Sequence, residues 1–246
     1  MIFIDKTAMP LTHTSISVCD FELERLIGKG GFSRVFSVRN LHNLKVYAMK
    51  IIKKSHFSDE AINKFRKEVE VLKAVNHPFI LKMNCCFENN DYICIITDIY
   101  TGGELFYHIC KDHRFSEKKA KFYFVETLLG LEYLHQNKIL YRDLKPENIL
   151  IDSEGHLRVA DFGLSKTNIG YDTCTNSFCG SPEYMSPEML TKAGHNLQLD
   201  LYCLGVLLYE MVTGLPPFYS ENREIMYQNI LKKTLVFPSY LSNSLT

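Results

Sequence analysis

The feature that most restricts the fold is a change of hydrophobic period partway along the chain. Between residues 21 and 98 the apolar residues come in short, partly alternating runs, at 21–27, 33–39, 45–52, 80–87 and 92–98, separated by turn residues. That spacing predicts antiparallel strands. One helix interrupts them: Ser58 is placed to cap it, and Ile62, Phe65, Val69 and Leu72 recur at helical spacing. After Thr101-Gly102-Gly103 the period becomes helical. Ala120, Phe124, Leu128, Leu131 and Leu134 mark one helix, and Leu201, Leu204, Leu208 and Met211 mark another, expected to be buried on all sides. Strands followed by helices predict an α+β chain of two lobes. The expected division is a loose lead-in over residues 1–20, a small sheet lobe with one key helix over 21–100, and a mainly helical lobe over 101–246.

Composition narrows the partners. Of 246 residues 46% are hydrophobic, which excludes wholesale disorder. Basic and acidic residues number 28 each, so no global field draws the chain to nucleic acid or to an anionic membrane. The eight cysteines form no CxxC pair, no apolar run is long enough for a bilayer, and MIFIDKTAMP lacks the pattern of a signal peptide. These features give the expectation of an intracellular, cytoplasmic chain without integral membrane association. The oligomeric state stays open.

Three motifs carry chemistry. Gly28-Lys29-Gly30-Gly31-Phe32-Ser33 lets backbone N–H groups approach phosphate oxygens. A strand rather than a helix follows it, which excludes a dinucleotide fold and leaves an ordinary glycine-rich hairpin as the alternative. Lys50 shares a strand face with Val46 and Ala48, and a buried ammonium there needs an anionic partner, for which Glu68 on the following helix is the candidate. A lysine that only snorkels from an edge strand is the other reading. The third motif lies in the long polar stretch 141–188, where Tyr141-Arg142-Asp143-Leu144-Lys145-Pro146-Glu147-Asn148 precedes Asp161-Phe162-Gly163. Asp161 and Asn148 supply the hard oxygen donors that Mg²⁺ takes together with waters and phosphates. Asp143 can receive the proton of an acceptor hydroxyl, and Lys145 can offset charge on a transferring phosphoryl group.

In this order the motifs resemble those of eukaryotic protein kinases. The correspondence runs from Gly28 to Phe218 through Tyr47-Ala48-Met49-Lys50, Glu68, YRDLKPEN, DFG and Ser186-Pro187-Glu188 to Asp200 ahead of Leu204-Gly205. Tyrosine before Arg142-Asp143, with His77-Pro78-Phe79 and Phe178-Cys179-Gly180-Ser181-Pro182-Glu183-Tyr184, is similar to the AGC group of cyclic-AMP-dependent kinase and its relatives. The resemblance implies a bilobal fold, use of ATP with Mg²⁺, protein substrates bearing serine or threonine acceptors, and an upstream activating kinase. Lys145 within DLKPEN implies serine/threonine rather than tyrosine acceptors.

By the same resemblance Asp143, Lys145, Lys50 and Glu68 are catalytic, and Asn148 and Asp161 hold metal. Adenine would stack between the lobes against Ile27, Val35, Ala48 and Leu150, beside Gly28 and Gly30. Hinge backbone from Asp98 to Tyr100 would bond it, with Thr97 as gatekeeper. Glu104 would hold the ribose and, with Glu147, Ser181 and Glu210, would meet the substrate, the glutamates facing arginines upstream of the acceptor. Leu72, Met83, Phe162 and Tyr141 match stacked apolar residues linking the lobes, although plain core packing describes them equally. Ser177 matches a phosphorylated activation-segment residue, with Arg142, Lys166 and Lys64 as phosphate receivers. Thr175 is a nearby alternative acceptor, and a solvated Ser/Thr-rich loop describes the unmodified segment.

Two small departures are Ser33 for the third loop glycine and Ser186 for an alanine. The chain also stops where the family continues with helices that include an arginine partner for Glu188, which gives the expectation of a truncated, marginal second lobe. Three readings follow: an active kinase, a nucleotide-binding scaffold without catalysis, and a dead fragment that only binds partners. A metal hydrolase is a further rival, distinguished by ATP turnover without peptide. Retention of Lys50, Asp143, Asn148 and Asp161 favours the first.

Overall fold

The computed structural model describes residues 16–30 and 33–245. The lead-in before Ile16 and the loop residues Gly31 and Phe32 lie outside the described residues. The chain divides into two compact units, one of residues 16–69 and 82–99 and one of 70–81 and 100–245. Residues 70–81, assigned from the sequence to the first lobe, therefore group with the second unit.

The first unit is a five-stranded antiparallel sheet of β1 (Phe21–Lys29), β2 (Ser33–Asn40), β3 (Val46–Lys53), β4 (Met83–Glu88) and β5 (Tyr92–Asp98), in the order β1-β2-β3-β5-β4. One sheet face packs Phe21, Val38, Met49, Cys94 and Ile96 into a core with Phe36, Tyr47 and Phe87 around it. Strand alternation sends Ala48 and Lys50 to the opposite face. Their cross-strand partners Val35, Ile95 and Thr97 lie on that face too, as does Gly28 opposite Val35. A Cβ at Gly28 would come within 3.3 Å of the Val35 Cβ, so the crossing there is close. Helix α1 (Asp59–Ala74) starts where the sequence predicts: Ser58 Oγ accepts from Ala61 N at 3.4 Å, and Asp59 and Glu60 occupy the positive end of the helix.

The second unit is helical around a three-stranded sheet of β6 (Gly103–Glu104), β7 (Ile149–Ile151) and β8 (Leu157–Val159). Its helices are α2 (Leu105–Asp112), α3 (Glu117–Gln136), α4 (Pro187–Leu190), α5 (Gln198–Thr213) and α6 (Arg223–Lys232). Ser116 caps α3 by accepting from Lys119 N, and α5 stops at Gly214, whose φ of 93° is one that glycine adopts readily. Among the described residues no helix is long and apolar enough to cross a membrane.

Two sequence expectations about helix faces change. α5 is not buried all round: Leu201 is exposed, and Leu201, Tyr202, Gly205 and Tyr209 line an apolar cavity of about 340 Å³ together with Leu235 and Phe237. In α3, Leu128 is exposed, and the inward face carries Tyr123, Glu126, Thr127 and Gly130 beside Ala120, Leu131 and Leu134. Polar side chains turn inward there because fixed partners satisfy them. Glu126 bonds His156 Nδ1 at 2.5 Å and accepts from Leu157 N at 2.9 Å, while Thr127 Oγ1 donates to Tyr123 O at 2.8 Å.

Candidate active site

In the first unit the strand–helix lysine pair forms as expected. Lys50 Nζ lies 2.8 Å from Glu68 Oε1, and Glu68 is almost wholly buried. The second carboxylate oxygen, Oε2, is buried without a partner among the described residues. Burial of a carboxylate that has one lysine partner favours a fixed pair over a loosely snorkelling lysine. Gly28, Val35, Ala48 and Thr97 share the sheet face of Lys50. Gly30 N donates to Ser33 O at 3.0 Å and closes the glycine turn on its described side. Ile27 is exposed on β1, Thr97 Oγ1 donates to Asp98 O, and Asp98 Oδ1 accepts from Asn84 Nδ2 at 2.8 Å.

In the second unit the stretch 141–148 forms a braced loop. Its foundation is Asp200 on α5, 0% exposed, whose carboxylate accepts from Tyr141 N and Arg142 N, both at 2.9 Å, and meets His135 Nε2 at 2.8 Å. Arg142 stands at φ 70°, a left-handed conformation that a non-glycine residue holds only when its surroundings determine it. The Tyr141 hydroxyl donates to Ala160 O, and its ring packs edge-on against Phe162 at 5.3 Å, both fully buried.

Asp143 sits at the centre of this loop. Asn148 Nδ2 donates to its carbonyl at 2.8 Å and to its Oδ2 at 2.7 Å, and Lys145 Nζ is 3.3 Å from its Oδ1. Burial pushes the Asp143 carboxyl above the usual carboxylate range, against the pull of Lys145 and Asn148. Lys145 also donates to Ser181 Oγ at 3.0 Å, so one ammonium ties the loop to the segment that carries Ser181.

Because the N–H groups of Asn148 are engaged by Asp143, its amide oxygen is the group left for a hard cation. Asp161 adds a carboxylate at φ 57°, with Oδ1 accepting from Gly163 N at 3.2 Å. Ala160 N donates to Asn148 O at 2.8 Å and links the strands that carry the two residues. Among the described residues no group of three or more His, Cys, Asp or Glu could hold a metal by itself. One carboxylate and one amide fit Mg²⁺, which completes its shell with phosphates and water, better than a metal needing a full protein cage.

The remaining expected residues fall into two groups. Arg142 Nη1 donates to Ser177 Oγ at 2.5 Å, Ser177 Oγ lies 3.2 Å from Thr175 Oγ1, and Lys166 Nζ donates to Thr175 Oγ1 at 2.7 Å. Lys166 thus reaches Thr175 rather than Ser177, and exposed Lys64 on α1 lies 3.9 Å from Glu60. Among the acidic residues, Glu104 and Glu147 are exposed, and Glu104 is opposite Leu150 in the β6–β7 ladder. Burial raises the Glu104 carboxyl, with Glu147 adding to the effect. Glu210 is buried, accepts from the Tyr184 hydroxyl at 2.5 Å, and is pushed up to about 7 by burial, with Glu147 and Glu183 contributing. Tyr100 lies beneath the Arg158 guanidinium, 5.8 Å from its ring centre.

Sequence reasoning did not give Asp200 and His135 a role in holding the loop. A charged residue inside the most apolar helix is the signal that could have found Asp200, since such a residue is kept only with partners. Nor did it give Thr175 its place between Lys166 and Ser177.

A two-unit α+β chain with a braced Asp143 loop and a paired Lys50 is the arrangement of protein kinases. The protein kinase domain matches residues 21–244, and the chain belongs to that family. It is 46% identical over 224 residues to protein kinase 2 of Dictyostelium discoideum, covering 91% of this chain and 47% of that protein. It is 43% identical over 235 residues to the RAC family serine/threonine-protein kinase homolog of the same organism, covering 95% and 53%. To the serine/threonine-protein kinase Sgk1 of Danio rerio it is 43% identical over 242 residues, covering 96% and 55%. The chain spans about half the length of these relatives.

Proposed function

We propose that the chain transfers the γ-phosphoryl group of ATP to serine or threonine hydroxyls of proteins. The observation that carries this reading is the Asp143 carboxylate, raised by burial yet braced by Asn148 and Lys145. A carboxylate so held accepts the proton of an incoming hydroxyl, while Lys145 offsets the charge that develops on the transferred group. Lys50, fixed by Glu68, supplies a positive charge for nucleotide phosphates. Asn148 and Asp161 would hold Mg²⁺, which when bound neutralises phosphate charge. Relatives named as serine/threonine kinases support the acceptor class.

Two finer parts belong to the same proposal. Glu104 and Glu147, both exposed, favour substrates with arginine upstream of the acceptor, whereas Glu210 is buried against Tyr184. Ser177 is the activating phosphorylation site, supported by the Arg142 guanidinium already bonded to its hydroxyl, because a phosphate there gains charge-assisted bonds. The test is Mg²⁺-dependent transfer of labelled phosphate to an arginine-rich serine peptide. Asp143→Asn is expected to lower transfer by roughly a thousandfold or more with nucleotide binding kept. Equal transfer by the variant would refute the assignment, and peptide-independent ATP turnover would point to a hydrolase.

A further inference from the structure

Between α4 and α5 the chain buries an imidazole to which the kinase reading gives no task. His195 is 3% exposed, and its Nε2 is buried with no hydrogen-bond partner among the described residues. A ring nitrogen taken out of water and left unpaired is costly unless another state of the protein supplies the partner. The backbone shows which groups it faces. Thr175 N donates to His195 O at 2.9 Å and His195 N donates to Thr175 O at 3.0 Å, an isolated antiparallel bridge. Residues that exchange both bonds in this way send their side chains to the same side. The two segments run so close here that a Cβ on Gly194 would come within 2.8 Å of Asn176 Oδ1.

On the Thr175 side lie two hydroxyls and two cations. Lys166 Nζ donates to Thr175 Oγ1 at 2.7 Å, Thr175 Oγ1 is 3.2 Å from Ser177 Oγ, and Arg142 Nη1 donates to Ser177 Oγ at 2.5 Å. Among the described residues neither cation meets a carboxylate, and the only other bond of the Arg142 side chain goes to Leu164 O. Burial holds His195 below the usual histidine value, and Arg142 and Lys166 push the same way, against Glu188 and Asp200. Asp200 is itself engaged by Tyr141 N, Arg142 N and His135. Two cations and an unpaired imidazole converging on two hydroxyls suit an oxyanion.

We propose that His195 is a further ligand of the phosphate carried by Ser177, with Nε2–H donating to a phosphate oxygen. The inference rests on the reading of Ser177 as the phosphorylated residue and gives that site a third donor beside Arg142 and Lys166. Ser177 Oγ is one hydroxyl away from Thr175, and a phosphoryl group on it reaches past that hydroxyl to the ring beside it. The ring is neutral at pH 7 while Ser177 is unmodified. Once a dianion stands beside it the ring takes a proton from solvent, and the imidazolium has a donor at Nε2 whichever nitrogen carried the hydrogen before. Phosphorylation and protonation therefore promote each other.

NMR of the whole chain with isotope-labelled histidine, with and without phosphoserine encoded at position 177, tests this. The His195 ring is expected to titrate below the ordinary histidine value in the unmodified chain and at least about one pH unit higher in the phosphorylated one. Through-bond correlation to its own backbone assigns the ring without any variant. In His195→Gln, which keeps a donor but cannot become charged, phosphorus NMR is expected to show the phosphoserine titrating higher by about half a unit or more. A His195 titration equal in the two chains to within about 0.3 units overturns the proposal, as does an unmoved phosphoserine in a folded His195→Gln chain. Transfer to the arginine-rich serine peptide is read on the same samples. Activation without a change at His195 keeps the Ser177 switch and overturns this inference, whereas a shifted ring without activation keeps the phosphate site and removes the switch.

Discussion

The loop of residues 141–148 and the segment of residues 165–181 lie in the same unit but are held by different means. The first rests on a carboxylate of zero exposure that meets two backbone N–H groups and a histidine. The second is tied by backbone bridges, Lys166 to Leu140 and Thr175 to His195, and between them by a chain of side chains from Arg142 through Ser177 and buried Thr175 to Lys166, with Ser177 and Lys166 exposed. Backbone contacts to a buried charge fix one conformation. Hydroxyl contacts at the surface are worth little by themselves and change character when a phosphate is added. The difference separates a loop fixed by a buried charge from a segment whose exposed Ser177 is held through side chains.

The largest effect is expected where the permanent anchor is removed. Asp200→Ala leaves two backbone N–H groups and His135 without their acceptor, at a cost of about 3–5 kcal/mol in urea unfolding, with phosphotransfer lost. Stability within about 1 kcal/mol of the parent would put the two regions on an equal footing.

A pH-dependent effect comes next, just beyond the second of these regions. Tyr184 is tied there to Glu210, a buried carboxyl raised to about 7. Between about pH 4.5 and 7 the unfolded chain has ionised this group while the folded chain still holds the proton. Its contribution is therefore complete below about pH 4.5 and is lost as pH rises through about 7. Glu210→Gln stays neutral and keeps an acceptor for Tyr184, so it is expected to match the parent near pH 4.5 and exceed it by up to about 3 kcal/mol at pH 8. Urea midpoints at both pH values measure this, and a constant difference would show that Glu210 is not the titrating group.

The smallest change in stability is expected at Ser177. Ser177→Ala removes one exposed hydrogen bond and is expected to cost less than about 1 kcal/mol, yet to abolish activation by an upstream kinase. Undiminished activation would move the switch to Thr175.

What the sequence made legible follows from which signals are local. The strands, the Ser58 cap and the Lys50–Glu68 pair could be approached from periodicity and residue chemistry, and the structure has the strands at nearly the expected positions. The Asp143 loop could be read as a constellation because its members are eight residues or fewer apart. Long-range burial could not be read in this way. Leu128 looked like core because it keeps helical spacing with Leu131 and Leu134, yet Glu126 and Thr127 take the inward positions, their partners being a hairpin about thirty residues on and the preceding helical turn. Asp200 illustrates the same limit, since its partners lie 58 to 65 residues away.

Arg142 belongs to both regions through different atoms. Its backbone N–H serves the fixed loop and its guanidinium serves the conditional segment. Because its φ of 70° is one that glycine adopts without strain, the two duties are separable at a single codon. A glycine allele keeps the main-chain tether and deletes the guanidinium with its bonds to Ser177 Oγ and Leu164 O, giving geneticists a means of testing the conditional segment apart from the fixed loop.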